Sequence, residues 1–153
     1  YEMWWCFGWP YETSVAMARL VFSGLFDRHP ALKIITHHCG GMVPYYDGRV
    51  GAGLSVLGSR TADEDYSKVL SSLKRPHLDY FRDFYADTAM FGGRTGLRSG
   101  LGFFGVDHLV FSTDAPLGPI RETIAVVREL ELSEADLAEV FVGNAKNLLK
   151  LQG

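Results

Sequence analysis

Three short pieces of the chain each carry an apolar stretch into a polar or titratable residue and then into a turn. They are Thr36-His37-His38-Cys39-Gly40-Gly41, Asp83-Phe84-Tyr85-Ala86-Asp87-Thr88 and Phe111-Ser112-Thr113-Asp114-Ala115-Pro116. In barrels of parallel strands the reactive groups stand where strands end and loops begin, because the packed interior excludes water while the loop face admits substrate. An imidazole at such a place moves protons near neutral pH, and a carboxylate there can ligate a metal ion. His38, Asp87 and Asp114 are therefore the first residues to weigh, and the layout predicts an enzyme.

Each candidate also has a plainer reading. His37 and His38 are adjacent, and successive strand side chains point to opposite faces, so only one of them looks into a barrel mouth and the two are not a ligand pair. Either can serve as a hydrogen-bonded structural histidine. Gly40-Gly41 tips His38 toward function, since glycine lets backbone approach a ligand closely. Asp114 follows an extended apolar pattern and precedes Ala115-Pro116, which suits a metal ligand or, equally, an Asx turn or N-cap before the next helix. Asp87 before Thr88 carries the same two readings. Cys39 is not read as a nucleophile, because neighbours on an extended chain seldom pair side chain to side chain. His29 and His77 are expected to be solvated, and His108, starting its strand, to fall on the opposite face of the sheet.

The elements that must position these residues follow from periodicity and punctuation. Pro10 suits a first helical turn, and Met17, Leu20, Val21, Gly24 and Leu25 share one helical face, predicting an amphipathic helix over 11–26. Strands are predicted near 32–37, 84–88 and 108–113. A helix from Pro44 carrying Val50, Leu54 and Leu57 follows the first strand. A capping box, Thr61-Ala62-Asp63-Glu64, opens another, with Tyr66, Val69, Leu70 and Leu73 on its buried face and Pro76 as its stop. Helices over 95–104 and from Pro119 to about 130, then two closing helices over 134–142 and 144–151, complete the chain. Strands separated by helices imply parallel crossovers. The expectation is an α/β chain with one domain over 1–153, the C-terminal half of a (β/α)8 barrel, because three strands cannot close one and a whole barrel takes about 250 residues.

With 47% hydrophobic and 22% charged residues among 153, the chain has enough apolar side chains for a real core. A net charge of −3, with no basic run longer than Lys74-Arg75, argues against nucleic acid and anionic membrane as partners. No apolar stretch approaches the roughly 20 residues that span a bilayer. Two cysteines and no secretory signal predict a cytoplasmic chain. The chain opens in an aromatic cluster, Tyr1-Glu2-Met3-Trp4-Trp5-Cys6-Phe7-Gly8-Trp9, without an initiator Met, and so reads as a fragment or processed product. The cluster either lines a substrate pocket or is core opened by truncation.

Taken in order, Gly8-Trp9-Pro10-Tyr11-Glu12-Thr13, His38-Cys39-Gly40-Gly41-Met42-Val43-Pro44 with Gly48-Arg49-Val50, Phe84-Tyr85-Ala86-Asp87-Thr88, Ser112-Thr113-Asp114-Ala115-Pro116 and Gly143-Asn144-Ala145-Lys146-Asn147-Leu148-Leu149 resemble one family. It is the amidohydrolase-related family that contains aminocarboxymuconate-semialdehyde decarboxylase and γ-resorcylate decarboxylase. The resemblance implies a (β/α)8 barrel with a divalent metal at its mouth, zinc first and manganese second. It implies that Asp114 is the metal-binding aspartate of the last strand and a catalytic residue, and that His38 is the general acid or base. Arg49 is similar to an arginine that in some relatives reaches substrate across a dimer interface. Trp9 and Asp87 join it as expected substrate-binding residues. Cys39 stands where relatives often have glycine.

The activity this implies is metal-dependent, non-oxidative decarboxylation of a small aromatic or muconate-type carboxylic acid. Two alternatives stand beside it: a hydrolase of the same superfamily acting on a lactone or amide, and a non-catalytic half-barrel that serves as an interface. The family's first-strand ligands and fifth-strand histidine would lie before Tyr1, and a catalytic zinc typically takes three protein ligands. The chain is therefore expected to be inactive alone, needing its N-terminal half or a homodimer partner.

Overall fold

The computed structural model describes residues 1–61 and 64–151. A wide helical turn, Trp4–Gly8, leads into α1 (Trp9–Phe22), which has Pro10 in its first turn and buries Met17 and Val21. The helix expected over 11–26 breaks at Ser23-Gly24 and resumes as α2 (Leu25–Arg28). Gly24 adopts a φ of 70°, a left-handed conformation cheap for glycine alone. Its place in the apolar periodicity therefore hid a hinge.

β1 (Ile35–Thr36) is followed by a tight turn over His38–Gly40. The helix expected from Pro44 is instead a series of turns and a wide helical segment, Arg49–Gly53, in a stretch where Gly48, Gly51 and Gly53 weaken helix propensity. Only α3 (Val69–Ser72) forms where a longer helix was expected, and of its capping box Ala62 and Asp63 lie outside the described residues. α3 ends at Ser72, before the Pro76 expected to stop it, and Pro76 instead precedes α4 (His77–Arg82), a helix the periodicity did not mark, which buries Tyr80 and Phe81. His77 is not solvated: its Nε2 lies 2.8 Å from the Val50 carbonyl oxygen and 2.9 Å from that of Gly51.

β2 (Tyr85–Asp87), α5 (Arg94–Phe104) and β3 (Leu109–Val110) come next. α6 (Ile120–Arg128) starts directly after Pro119. α7 (Glu134–Ala138) is capped by Ser133, whose Oγ accepts the Asp136 N–H at 3.1 Å, and passes through a wide turn, Glu139–Gly143, into α8 (Asn144–Leu149). The two closing helices are thus nearly one.

The strands are parallel in the order β1-β2-β3, with Ile35 opposite Tyr85, Thr36 opposite Ala86, Ala86 opposite Leu109 and Asp87 opposite Val110. They are shorter than the apolar runs that predicted them, because backbone turns begin at His38 and Val106–His108 forms a tight turn of its own. His108 stacks on Tyr85 at 4.6 Å, with its Nδ1 3.1 Å from the Phe84 carbonyl oxygen. One face of the sheet is covered by helices: Ala86 and Leu109 are wholly buried with Leu97 of α5 and Val127 of α6, and the Thr36 hydroxyl donates to Met17 Sδ of α1. On the other face Ile35 remains 47% exposed. Among the described residues no helix is long and apolar enough to cross a membrane.

Candidate active site

Just past each strand the chain enters a conformation that side chains resist. His38 (φ 47°) and Cys39 (φ 53°) follow β1, Phe91 (φ 51°) follows β2 and Asp114 (φ 62°) follows β3; among the described non-glycine residues only Lys150 shares this feature. Left-handed backbone costs a residue with a Cβ about 1–2 kcal/mol, and such strain persists where the surroundings enforce it, commonly at functional sites. All three strand ends thus carry it.

Glycines permit the first of these turns, for a different reason than ligand approach. Gly40 (φ 80°) and Gly41 (φ 60°) are close to protein: a Cβ would stand 2.7 Å from the Phe104 ring at Gly40 and 2.5 Å from the Pro10 carbonyl oxygen at Gly41. Ser14 Oγ bridges the same junction, donating to the Pro10 carbonyl at 2.7 Å and accepting the Met42 N–H at 2.8 Å. The His38 turn is in this way pinned against the start of α1.

His38 Nδ1 lies 2.7 Å from the Ala89 carbonyl oxygen, beyond the end of β2. A carbonyl only accepts, so Nδ1 carries a proton and donates it, which leaves Nε2 as the ring nitrogen free to exchange a proton. Nε2 has no protein partner among the described residues. Asp87 sits beside this arrangement, 6% exposed, with Oδ1 accepting N–H bonds from Cys39 at 3.3 Å and Ala89 at 3.1 Å. His37 Nδ1 lies 3.7 Å from its Oδ2. Burial raises the Asp87 pKa above the ordinary value, against the two N–H donors and both histidines, which lower it. Burial, with the Asp87 charge beside it, pushes the Cys39 thiol up to about 12, so Cys39 stays protonated at neutral pH and offers no thiolate.

The candidates divide among three hollows. His38 and Trp9 line one of about 250 Å³ together with Trp5, Ala89, Met90 and Phe91. Asp87 and Asp114 line a second of about 450 Å³ with His37, Ser112 and Leu148. Arg49 lines a third of about 790 Å³ with Ser14, Tyr46, Arg60 and Phe81, its guanidinium 5.9 Å from the Tyr46 ring. Among the described residues His38 and Asp114 thus line separate hollows rather than the shared cavity expected of them; Asp87 stands between the two, bonded to the turn of one and lining the other. The half-buried Asp114 carboxylate has no hydrogen bond or ion pair among the described residues, which leaves a hard oxygen donor open to a cation. Among those residues no group of three His, Cys, Asp or Glu side chains could hold a metal ion.

Trp5 belongs to the aromatic cluster read as pocket lining or opened core, and it lines the His38 hollow; Phe91 was not singled out, although Met90-Phe91-Gly92-Gly93 after β2 repeats the layout of His38-Cys39-Gly40-Gly41 after β1, two residues with side chains before two glycines.

A model of the amidohydrolase family matches residues 4–151. The chain belongs to the amidohydrolase family. It is 36% identical over 151 residues to the γ-resorcylate decarboxylase of Polaromonas sp. strain JS666, a match that covers 96% of this chain and 42% of that protein. A crystal structure of dihydroxybenzoic acid decarboxylase from the same organism, with bound manganese and the inhibitor 2-nitroresorcinol, superposes with a TM-score of 0.74 at 34% identity, over 93% of this chain and 41% of that one. 2,6-Dihydroxybenzoate decarboxylase in complex with 2,6-dihydroxybenzoate superposes with a TM-score of 0.75 at 32% identity, over 94% and 42%. The chain thus spans about 42% of the length of these relatives, and its three-stranded sheet is part of an amidohydrolase-type (β/α)8 barrel.

Proposed function

We propose that the whole protein is a metal-dependent, non-oxidative decarboxylase of a small aromatic carboxylic acid of the 2,6-dihydroxybenzoate type. The observation that carries this is His38: its Nδ1 donates to the Ala89 carbonyl, and among the described residues Nε2 has no protein partner beside a hollow walled by Trp5, Trp9 and Phe91. In this reading Nε2 first takes up a proton from water or a substrate hydroxyl and then gives it to the ring carbon, its N–H bond breaking as the bond to the carboxylate breaks. One C–H bond replaces one C–C bond and carbon dioxide leaves without any oxidant. Asp87 holds the His38–Cys39 turn in place through the Cys39 N–H, and Trp9 and Arg49 contribute to binding the acid.

Asp114 fits the role of one metal ligand, as a carboxylate just past β3 that is unpaired among the described residues, with the other donors supplied by the rest of the barrel or by a partner subunit. The bound metal would supply positive charge that orients the substrate's oxygens. Manganese in the solved relative supports manganese ahead of zinc. We take residues 1–153 as one domain, part of a cytoplasmic enzyme whose homodimer partner meets Arg49.

The test is release of carbon dioxide from 2,6-dihydroxybenzoate by the full-length protein with manganese, against ring opening of lactone and amide substrates. General acid–base contributions are about 10²–10⁴-fold, so His38→Ala should lower kcat by that factor with metal content retained. Parental turnover by that variant would remove His38 from the reaction.

A further inference from the structure

Within four residues of the end of each strand a side-chain-bearing residue is held in left-handed backbone, and two of the three places are taken by the candidate catalytic groups His38 and Asp114. The third is held by Phe91, which no proton transfer or metal needs. We infer that Phe91 is a specificity-determining residue, the wall that closes the His38 hollow around an aromatic ring. The inference rests on the aromatic-acid reading above and adds the residue that enforces it.

The argument begins with what folding alone would choose. Position 91 precedes Gly92 (φ 78°), in a turn closed by the Gly93 N–H donating to the Met90 carbonyl at 2.7 Å. At a φ of 51° glycine is unstrained, whereas a bulky side chain at such a φ is an outlier. The ring does not repay this by burial, because Phe91 is 42% exposed and is absent from the buried core. Its contacts lie instead with the hollow. Phe91 meets Trp5 edge to face at 6.1 Å and 80°, and stands 6.2 Å from the His38 imidazole at 54°. Trp5, His38 and Phe91 all line the same space of about 250 Å³, where His38 is the only ionisable side chain apart from the Cys6 thiol. Rings set edge to face attract through their quadrupoles, so a further aromatic ring seated here gains a partner on two sides. A non-aromatic chain gains apolar contact only.

The experiment uses the full chain and measures two quantities for Phe91→Gly and Phe91→Ala: the Kd for 2,6-dihydroxybenzoate by calorimetry, and Tm. A specificity wall predicts a Kd about three- to tenfold weaker in both variants, from the loss of one aromatic pair. It also predicts that Phe91→Gly keeps or raises Tm, since glycine relieves the backbone. Cyclohexanecarboxylate, with the same charge and no aromatic ring, loses apolar contact only and should weaken by a smaller factor than 2,6-dihydroxybenzoate in both variants; an equal loss for the two acids also overturns the inference. The inference is overturned if the parent chain does not bind 2,6-dihydroxybenzoate, if Phe91→Gly binds it within twofold of the parent, or if that variant loses more than about 4 °C of Tm, the mark of a core residue. Failure of the decarboxylase reading shows separately, as absence of carbon dioxide release, which no binding measurement reports.

Discussion

Asp87 concentrates the electrostatics of this site in one side chain. Its carboxylate is almost wholly buried, and burial raises its pKa above the ordinary 3.8 despite two N–H donors and two nearby histidines. A group whose folded pKa is raised stabilises the fold below the unfolded pKa and loses that contribution as pH rises through the folded value. The ionised Asp87 is thus a net cost at neutral pH. Asp87→Asn keeps an oxygen to accept from Cys39 and Ala89 and removes the charge. Its Tm relative to the parent should therefore rise as pH increases above the ordinary carboxylate value of about 4, measured by thermal denaturation at several pH values. A relative Tm that falls over that window would mean that the hydrogen bonds and imidazoles outweigh burial. Spacing marked Asp87 as a candidate, because a carboxylate after Tyr85-Ala86 must leave the strand end. Its burial and its bond to the Cys39 N–H depend on β1 lying beside β2, which no local pattern encodes.

At the scale of elements, α5 and the His38 turn are fitted to each other at one point. A Cβ on Gly100 of α5 would overlap Cys39 Sγ, so the glycine in that helix and the thiol in that turn are complementary shapes. Overpacking of this kind typically costs about 1–3 kcal/mol, and in a chain of this size about 2–4 °C of Tm per kcal/mol. Gly100→Ala should destabilise the protein by that amount. In a Cys39→Gly background, where the backbone strain at 39 is also relieved, the same change should cost far less. Thermal denaturation of the four proteins measures the coupling, and additive effects would show that Sγ and Gly100 do not meet in solution. α5 and α6 were legible from the sequence to within a residue or two, because Arg94–Phe104 and Ile120–Arg128 keep a clean apolar face and begin after Gly93 and Pro119. α4 was not, since Tyr80 and Phe81 are buried side by side in six residues, too few to display a period. The strands were located by their apolar runs, but their ends were set by the turns at His38 and Val106–His108.

For the whole molecule, the alternation of strands with helical crossovers was legible because parallel strands need a crossover between them, although the β1–β2 crossover holds α3 and the unmarked α4 in place of the helix expected from Pro44. The division of candidates among three hollows was not, because it depends on where α1 and the loop after β1 meet, a contact made by Gly41, Pro10 and Ser14 rather than by any periodic face. The same geometry bears on metal binding. With Asp114 as a lone carboxylate and no three-ligand group among the described residues, the 153-residue chain should take up manganese far more weakly than the full-length protein. Titration of both followed by metal analysis checks this, and equal affinity would show that these residues alone furnish the ligands.

The wide turn between α7 and α8 brings the Val140 carbonyl oxygen to 3.0 Å from the Phe111 N–H, one residue past β3. Asn144 works from the same bend, its amide donating to the Val106 and Leu109 carbonyls at 2.7 Å each. The outer border of β3 is therefore stitched to a helix beyond Val110, and a foreign strand approaching from that flank would find the N–H at position 111 already engaged. Among the described residues the flank along β1 has no such seam, and Ile35 there is 47% exposed. Taken apart from the rest of the barrel, this chain should accordingly invite unwanted strand addition on one border of the sheet and turn it away on the other.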